Sequence, residues 1–360
     1  MDLAQQLQEV VVRHGGTGLG ICHAEPFDDV RRTMHERIRE GSHAALTFTF
    51  TDPDVATDIR RSFPWAERLV VTAWSYLPEA GSPGPARHGT GRVARFATED
   101  HYRSLRRMLD DLSAELTAAG HRAEPLSDDG RLVDRAAAVR AGIGWWGKNA
   151  MVLTPGSGPW LLLGSVATDA PLAVTAPMAR DCGTCSACLP ACPTGALLAP
   201  GVLDARRCLA RWLQAPGAIP RDYRRAVGDR VYGCDDCLDA CPPGRRLLAS
   251  APRGPGRVDL AALLGKTDGE LLAEYGHFYL PRRRPAVLRR NALVALGNTG
   301  GADAVAILAG YLGHHDAVLR LHAAWALGTI GGDEAVAVLA AAREAETDGD
   351  VRAEIDLALR

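Results

Sequence analysis

The chain carries no charge excess of either sign: 41 Lys and Arg against 43 Asp and Glu leave a net −2. A global basic signature for nucleic acid is therefore missing, and any polyanion site must be a local patch. No apolar run approaches the roughly 18 residues that a membrane helix needs. The start, Met1-Asp2-Leu3-Ala4-Gln5-Gln6, lacks the basic and apolar regions of a signal peptide, so the expectation is a cytoplasmic protein with no membrane partner. Cysteine is nearly absent outside one segment: of nine, only Cys22 lies outside Cys182 to Cys241. Such clustering in a long chain points to metal or redox work rather than a disulfide scaffold. Cys22 itself reads as a small buried hydrophobe.

What is present is apolar material for more than one core, 47% of 360 residues, and a prior of about two to three domains at roughly 150 residues each. Residues 1–176 mix helical and strand signals. Leu3, Leu7, Val10 and Val11 fall at helical spacing before Gly15-Gly16, and Tyr102 to Ala119 is a strong amphipathic helix stopped by Gly120. Leu69 to Trp74 and Leu161 to Ala167 read as buried strands. Residues 177–276 hold the cysteines and a helical extension. Residues 277–360 repeat: Leu288 to Gly297 superposes on Leu319 to Gly328, an offset of 31, and Ala304 to Leu308 matches Ala335 to Leu339 at the same offset. A third, partial unit appears at Val351 to Ile355. Helix pairs of this HEAT-like kind bury their apolar faces only by stacking. The fold class expected is α+β: an N-terminal α/β domain, a ferredoxin-like domain and C-terminal helical repeats.

Cys182-x2-Cys185-x2-Cys188-x3-Cys192-Pro193 matches the bacterial ferredoxin run, in which the fourth cysteine ligates the other cluster. A partner set follows as Cys208, then Cys234-x2-Cys237-x3-Cys241-Pro242, its first cysteine displaced upstream. Crossed ligation predicts one [4Fe–4S] cluster on Cys182, Cys185, Cys188 and Cys241, and a second on Cys192, Cys208, Cys234 and Cys237. Structural zinc is the competing reading, but zinc knuckles pair two CxxC units across a longer spacer.

The stretch Gly142-Ile143-Gly144-Trp145-Trp146-Gly147-Lys148-Asn149 contains both GxGxxG and GxxxxGK. A dinucleotide fingerprint must follow a strand, whereas Asp134 to Arg140 is helical, and a P-loop needs Ser or Thr where Asn149 stands. The glycines read instead as a helix stop and a close backbone approach to something flat, with Trp145 and Trp146 as packing walls. Asp134, at the start of that helix, reads as an acid favoured by the helix dipole unless a site surrounds it.

Asp134-Arg135-Ala136-x-Ala138-x2-Ala141-Gly142-Ile143-Gly144-Trp145-x-Gly147-Lys148-Asn149, then Trp160-x2-Leu163-Gly164-x3-Thr168, the double-cluster cysteines and HEAT-like repeats, in that order, resemble the epoxyqueuosine reductase family. The resemblance runs from about Arg60 to the C-terminus. It implies removal of an epoxide oxygen from a cyclopentane ring at the wobble position of tRNA, the last step of queuosine formation. It also implies a cobalamin bound base-off between the N-terminal and cluster domains, with contacts near Arg60, Ala97, Asp134, Gly158, Val166 and Thr168. No D-x-H-x-x-G occurs, so no histidine of that motif replaces the lower ligand. By the resemblance Asp134 is the proton donor, which needs its pKa raised from the ordinary 3.9 or so by burial. Two features depart from the family pattern: the order Arg95-Phe96-Ala97-Thr98-Glu99-Asp100-His101-Tyr102, and the missing proline in Asp129-Gly130-Arg131-Leu132-Val133.

Arg282, Arg283, Arg284, Arg289 and Arg290 place five arginines within ten residues, and residues 203–257 hold eleven arginines against six aspartates. Together they read as a phosphate-tracking groove for tRNA. The remaining expectations are an external low-potential electron donor and a monomer. A cobalamin and iron–sulfur reductase of a small substrate, and a non-catalytic electron-transfer scaffold, are the alternatives.

Overall fold

The computed structural model describes residues 2–77, 81, 84–251, 254 and 256–360. The chain divides into two compact units, each discontinuous: residues 1–80, 99–207 and 236–252 form the first, and residues 81–98, 208–235 and 253–360 the second. The three consecutive stretches of sequence do not coincide with these units, because the cysteine segment is divided between them.

In the first unit, a four-stranded antiparallel sheet has the order β1 (Gly18–His23), β2 (Arg68–Ser75), β6 (Leu161–Thr168), β3 (Ala123–Leu126). The two expected buried strands are its centre, with Arg68 opposite Thr168 and Ser75 opposite Leu161. Being covered on both faces, they read as continuous apolar runs rather than alternating ones. One face is covered by α2 (His101–Ala118), whose Leu105, Met108, Leu109, Leu112 and Leu116 are sealed from solvent. Each such burial contributes about 1.5–3 kcal/mol. Gly164 lets α2 close on β6, since a Cβ there would lie 2.6 Å from Leu109. Helix α1 (Leu3–Arg13) opens with a capping box between Asp2 and Gln5 and buries Leu7, Val10 and Val11 as the spacing predicts.

The opposite face carries α3 (Asp134–Arg140). Ala136, Ala137, Ala138 and Ala141 pack with Leu69, Val71 and Ala73 of β2. These small side chains bring backbone against backbone: a Cβ on Gly20 would sit 2.0 Å from the Ala141 carbonyl oxygen. Cys22 lies in the same core, and burial pushes its thiol up to about 11, as befits an inert hydrophobe.

In the second unit, Thr90–Val93 pairs parallel to Arg230–Tyr232 and antiparallel to Arg257–Asp259. The repeat appears as α4 (Ala286–Thr299) and α5 (Ala317–Ile330), each of 14 residues and starting 31 apart, followed by α6 (Gly349–Ala358). The same glycine of each repeat receives the next helix. A Cβ on Gly297 would meet Ala326 at 2.7 Å, and one on Gly328 would meet Ala358 at 2.5 Å. The buried Asn291 ties α4 to the rest of the unit, donating to the carbonyls of Leu213 and Val231 at 2.7 and 2.8 Å.

Candidate functional site

Helix α3 begins where the Val133 N–H donates to the Ala56 carbonyl, and its preceding turn is held by Arg131, which grips Asp129 through its backbone N–H and guanidinium. Asp134 occupies the first helical turn without capping it. The residue is half-buried, yet its Oδ1 is enclosed and has no hydrogen-bond partner. Burial pushes its pKa well above the ordinary carboxylate range, and the neighbouring Asp128 carboxylate pushes the same way, against the opposing charge of Arg135. A carboxyl in that state keeps its proton to higher pH than an exposed aspartate.

Three more enclosed polar atoms without partners lie in the segments that meet this helix start: Asp58 Oδ1, Ser127 Oγ and Ser165 Oγ. The Ala56 contact brings the 56–58 turn to Val133, and Leu126 faces Ser165 across the sheet. Buried polar atoms are nearly always satisfied, so this group suits a polar ligand. Sequence reasoning missed Asp58, Ser127 and Ser165, because nothing marks a lone serine or aspartate until folding encloses it.

The other candidate contacts are dispersed. Arg60 is exposed and donates Nε to the Ala66 carbonyl at 3.1 Å. Gly158 has φ +56° and lies against the Gly244 backbone, 3.1 Å from where its Cβ would be. Val166 and Thr168 are sealed in β6. By strand alternation both share the face of Gly164, under α2, while Asp134 opens the helix on the other face. Ala97 belongs to the second unit, its carbonyl bonded by His277 Nε2 at 3.0 Å.

The thiols of Cys182, Cys185, Cys188 and Cys241 all lie in the first unit and share one neighbourhood. Burial pushes Cys241 up to about 11, opposed by a Gly244 backbone hydrogen bond, and the other three thiols push it further up. Cys188 is raised by burial, with Cys182 and Cys185 adding to it and Lys148 opposing. Four thiolates so placed would repel one another, so the group suits a cationic metal centre whose charge would let them ionise together. Among the described residues no three His, Cys, Asp or Glu side chains gather to hold a single ion. Of the other four cysteines, Cys192 and Cys237 belong to the first unit, Cys208 and Cys234 to the second. Burial works against the Cys192 thiolate, but N–H groups of Thr194, Ala196 and Leu197 hold its pKa below the ordinary value.

The glycine motif differs from expectation in what its glycines approach. Trp145–Trp146 (β4) pairs with Val152–Leu153 (β5). A Cβ on Gly144 would lie 2.1 Å from the Leu153 carbonyl oxygen, and one on Gly142 2.3 Å from that of Ala176. The close approach is to the chain's own backbone. Trp145 is buried against Leu153 and Cys241, whereas Trp146 is 45% exposed and is no wall.

The arginines separate into two kinds. Arg282, Arg283 and Arg284 are exposed, on a turn where the first two adopt φ of +53° and +52°. Arg289 and Arg290 are buried and do not reach a surface groove. Arg289 pairs with Asp268 and donates to the Lys266 carbonyl. Arg290 donates to the carbonyls of Trp212, Ala215 and Gly217 at 2.6–2.7 Å and to Asn291. In 203–257 some arginines are paired, Arg206 with Asp204, Arg224 with Glu354 and Arg257 with Asp229, while Arg207, Arg225, Arg245 and Arg246 are exposed.

Residues 181–244 match the family profile of the 4Fe-4S double cluster binding domain, and residues 280–360 that of HEAT repeats. Over 328 residues the chain is 32% identical to epoxyqueuosine reductase of Bacillus cereus, covering 87% of this chain and 85% of that protein. The Bacillus subtilis relative is 32% identical over 318 residues, 84% of this chain and 81% of its own. A crystal structure of epoxyqueuosine reductase with an epoxyqueuosine-modified tRNA-Tyr stem loop superposes with a TM-score of 0.89 at 30% identity, covering 99% of both chains. A Bacillus subtilis epoxyqueuosine reductase structure, described as having its Asp134 catalytic loop swung out of the active site, gives 0.88 at 29% identity, again over 99% of both.

Proposed function

The chain belongs to the epoxyqueuosine reductase family, and we propose that it reduces epoxyqueuosine in tRNA to queuosine with Asp134 as the proton donor. The observation that carries the assignment of Asp134 is its enclosed, unpartnered Oδ1 beside Asp128. The catalytic loop of the Bacillus subtilis relative is likewise described by an Asp134. Opening the epoxide to an alkene consumes two electrons and two protons and releases water. The leaving oxygen needs a proton at neutral pH, and a carboxyl held protonated by burial can supply one.

The orphaned oxygens of Asp58, Ser127, Asp134 and Ser165 suit a large polar cofactor such as cobalamin, which when bound and reduced through the clusters supplies the electron pair. Arg60, Ala97, Gly158, Val166 and Thr168 remain the further contacts that the resemblance assigns. The buried side chains of Val166 and Thr168 leave them only their backbone to offer.

The eight cysteines ligate two [4Fe–4S] clusters in the crossed pattern, Cys182, Cys185, Cys188 and Cys241 on one, Cys192, Cys208, Cys234 and Cys237 on the other. The spacing, the double-cluster profile and the shared neighbourhood of the first four thiols support this reading. Arg282, Arg283 and Arg284 contact tRNA phosphates. The protein acts as a cytoplasmic monomer with an external low-potential donor; among the described residues no helix is long and apolar enough to cross a membrane. The test is anaerobic incubation of reconstituted protein with epoxyqueuosine-containing tRNA. Appearance of queuosine supports the reading, and intact epoxyqueuosine with fully loaded, reduced protein sinks it.

A further inference from the structure

The Gly142–Asn149 motif is absorbed neither by the nucleotide readings it imitates nor by the acid that precedes it. Its two chemistry-bearing side chains nevertheless converge on the first cysteine set. Trp145 is 5% exposed and packs in one small cluster with Leu153 and Cys241, against which Met178 and Cys182 also lie. Its Nε1–H is enclosed and has no acceptor, whereas the fully buried Trp160 donates its N–H to the Gly244 carbonyl at 3.1 Å. A buried N–H without a partner pays a desolvation penalty, and indoles in cores ordinarily avoid that cost. The guanidinium of Arg180 lies over the Trp145 ring, 4.4 Å from its centroid, and adds positive charge on the same side. Lys148 reaches the loop of the first two cysteines, where its ammonium donates to the Gly183 carbonyl at 2.6 Å.

We propose that Trp145 Nε1–H and the Lys148 ammonium tune the cluster on Cys182, Cys185, Cys188 and Cys241, the indole donating to a cluster sulfur and the ammonium offsetting its charge, so that its reduced form is favoured. The inference rests on the cluster assignment above and deepens it. The reduced cubane carries one more negative charge than the oxidised one, so a fixed N–H donor and a fixed cation stabilise it selectively and raise its potential. The hairpin makes both fixed: the tight Gly144 and Gly147 contacts with Leu153 and Met151 leave the Trp145 and Lys148 backbone little freedom. The motif's glycines then hold a redox-tuning arm rather than a phosphate loop.

The experiment is an EPR-monitored redox titration of reconstituted wild type, Trp145→Phe, Lys148→Gln, Lys148→Arg and Cys185→Ser. Cys185→Ser identifies which signal belongs to this cluster. Lys148→Gln can still donate to Gly183 but has lost the charge, so it separates tuning from a loop staple. Trp145→Phe and Lys148→Gln should each lower the reduced-to-oxidised ratio of that cluster about tenfold at fixed poise, about 59 mV for a one-electron couple. Lys148→Arg should restore it, and the second cluster should not move. Unchanged midpoints, or shifts confined to the other cluster, overturn the inference. Should Trp145→Phe lose its cluster, the half-exposed Lys148 variants decide alone. The cluster assignment fails separately, and takes this inference with it, if wild-type protein reconstitutes with far fewer than about eight irons per chain.

Discussion

Asp128, in left-handed backbone at φ +52°, puts a second carboxyl beside Asp134 and, after burial, is the largest cause that raises the proton affinity of Asp134. Arg106 and Arg135 temper the charge of Asp128, whose own pKa is raised by burial. The pair resembles other acids in which burial and a like charge keep a proton in place where an isolated Asp would lose it. As the proposed proton donor Asp134 would act in its protonated form, so activity should fall as pH rises through its raised pKa.

Asp134→Asn keeps the shape and removes the proton. Single-turnover reduction by pre-reduced protein should fall by roughly 10² to 10⁴, with iron content unchanged. Asp128→Asn removes the like charge and so lowers the Asp134 pKa. The alkaline limb of the single-turnover pH profile should move to lower pH, with the acid plateau kept. A limb that stays in place would show that Asp128 does not act on Asp134.

Arg282, Arg283 and Arg284 should behave differently from Arg290. Changing the three to Ala should weaken tRNA binding and flatten the slope of log K against log salt by up to about three units. Thermal stability should hold, because the three side chains are exposed and Ala keeps the Cβ that strains left-handed Arg282 and Arg283. Arg290→Met instead orphans the carbonyls of Trp212, Ala215 and Gly217 and should destabilise the second unit by several kcal/mol. Salt titrations of binding, alongside thermal melts, separate the two kinds.

This division shows what the sequence could not disclose. Five arginines within ten residues look alike as letters, yet two point into a core. Only the fold reveals that Arg290 meets three carbonyls from a segment some 75 residues away. What was legible had a continuous apolar run, a period or a fixed spacing: the two central strands, α2 with its Gly120 stop, the 31-residue repeat and the cysteine runs. What was not legible depends on long-range enclosure. Val166 and Thr168 lie under α2, Ser127 and Ser165 lose their partners only when the sheet forms, and the Gly142–Asn149 glycines meet strand backbone rather than a ligand. The division into two discontinuous units is of the same kind, since no local signal records which distant segments pack together.

The repeat glycines give a contrast within one unit. Gly328→Ala puts a Cβ 2.5 Å from that of Ala358 and should force α5 and α6 apart, an overpacking cost of about 1–3 kcal/mol against about 1 kcal/mol of helix propensity. Gly310, in the helix Val305–Leu312, has nothing within 4 Å of its Cβ position. Gly310→Ala should therefore stabilise the protein by about 0.5–1 kcal/mol. Denaturant melts of both variants should move in opposite directions, and a stabilised Gly328→Ala would refute the close contact.

The second unit should also lose stability in mild acid through His322. Its ring is fully buried, with Nδ1 donating to the Val318 carbonyl at 2.6 Å and Nε2 accepting from the Ile219 N–H at 3.1 Å. Both nitrogens are thus satisfied only in the neutral form. Burial pushes the pKa well below 6.5, and the charges of Arg224 and Arg290 push the same way. The folded state therefore binds fewer protons than the unfolded one below pH about 6.5, and stability falls as pH drops from there toward the depressed folded pKa. Glu346, held down at about 2 by Arg320, titrates in a separate, more acidic window. His322→Gln should lower stability at pH 7, because no single amide matches both bonds, and flatten the decline between pH 6.5 and 5. Thermal melts across that range decide it: a decline equally steep in the variant would assign the acid sensitivity to other groups.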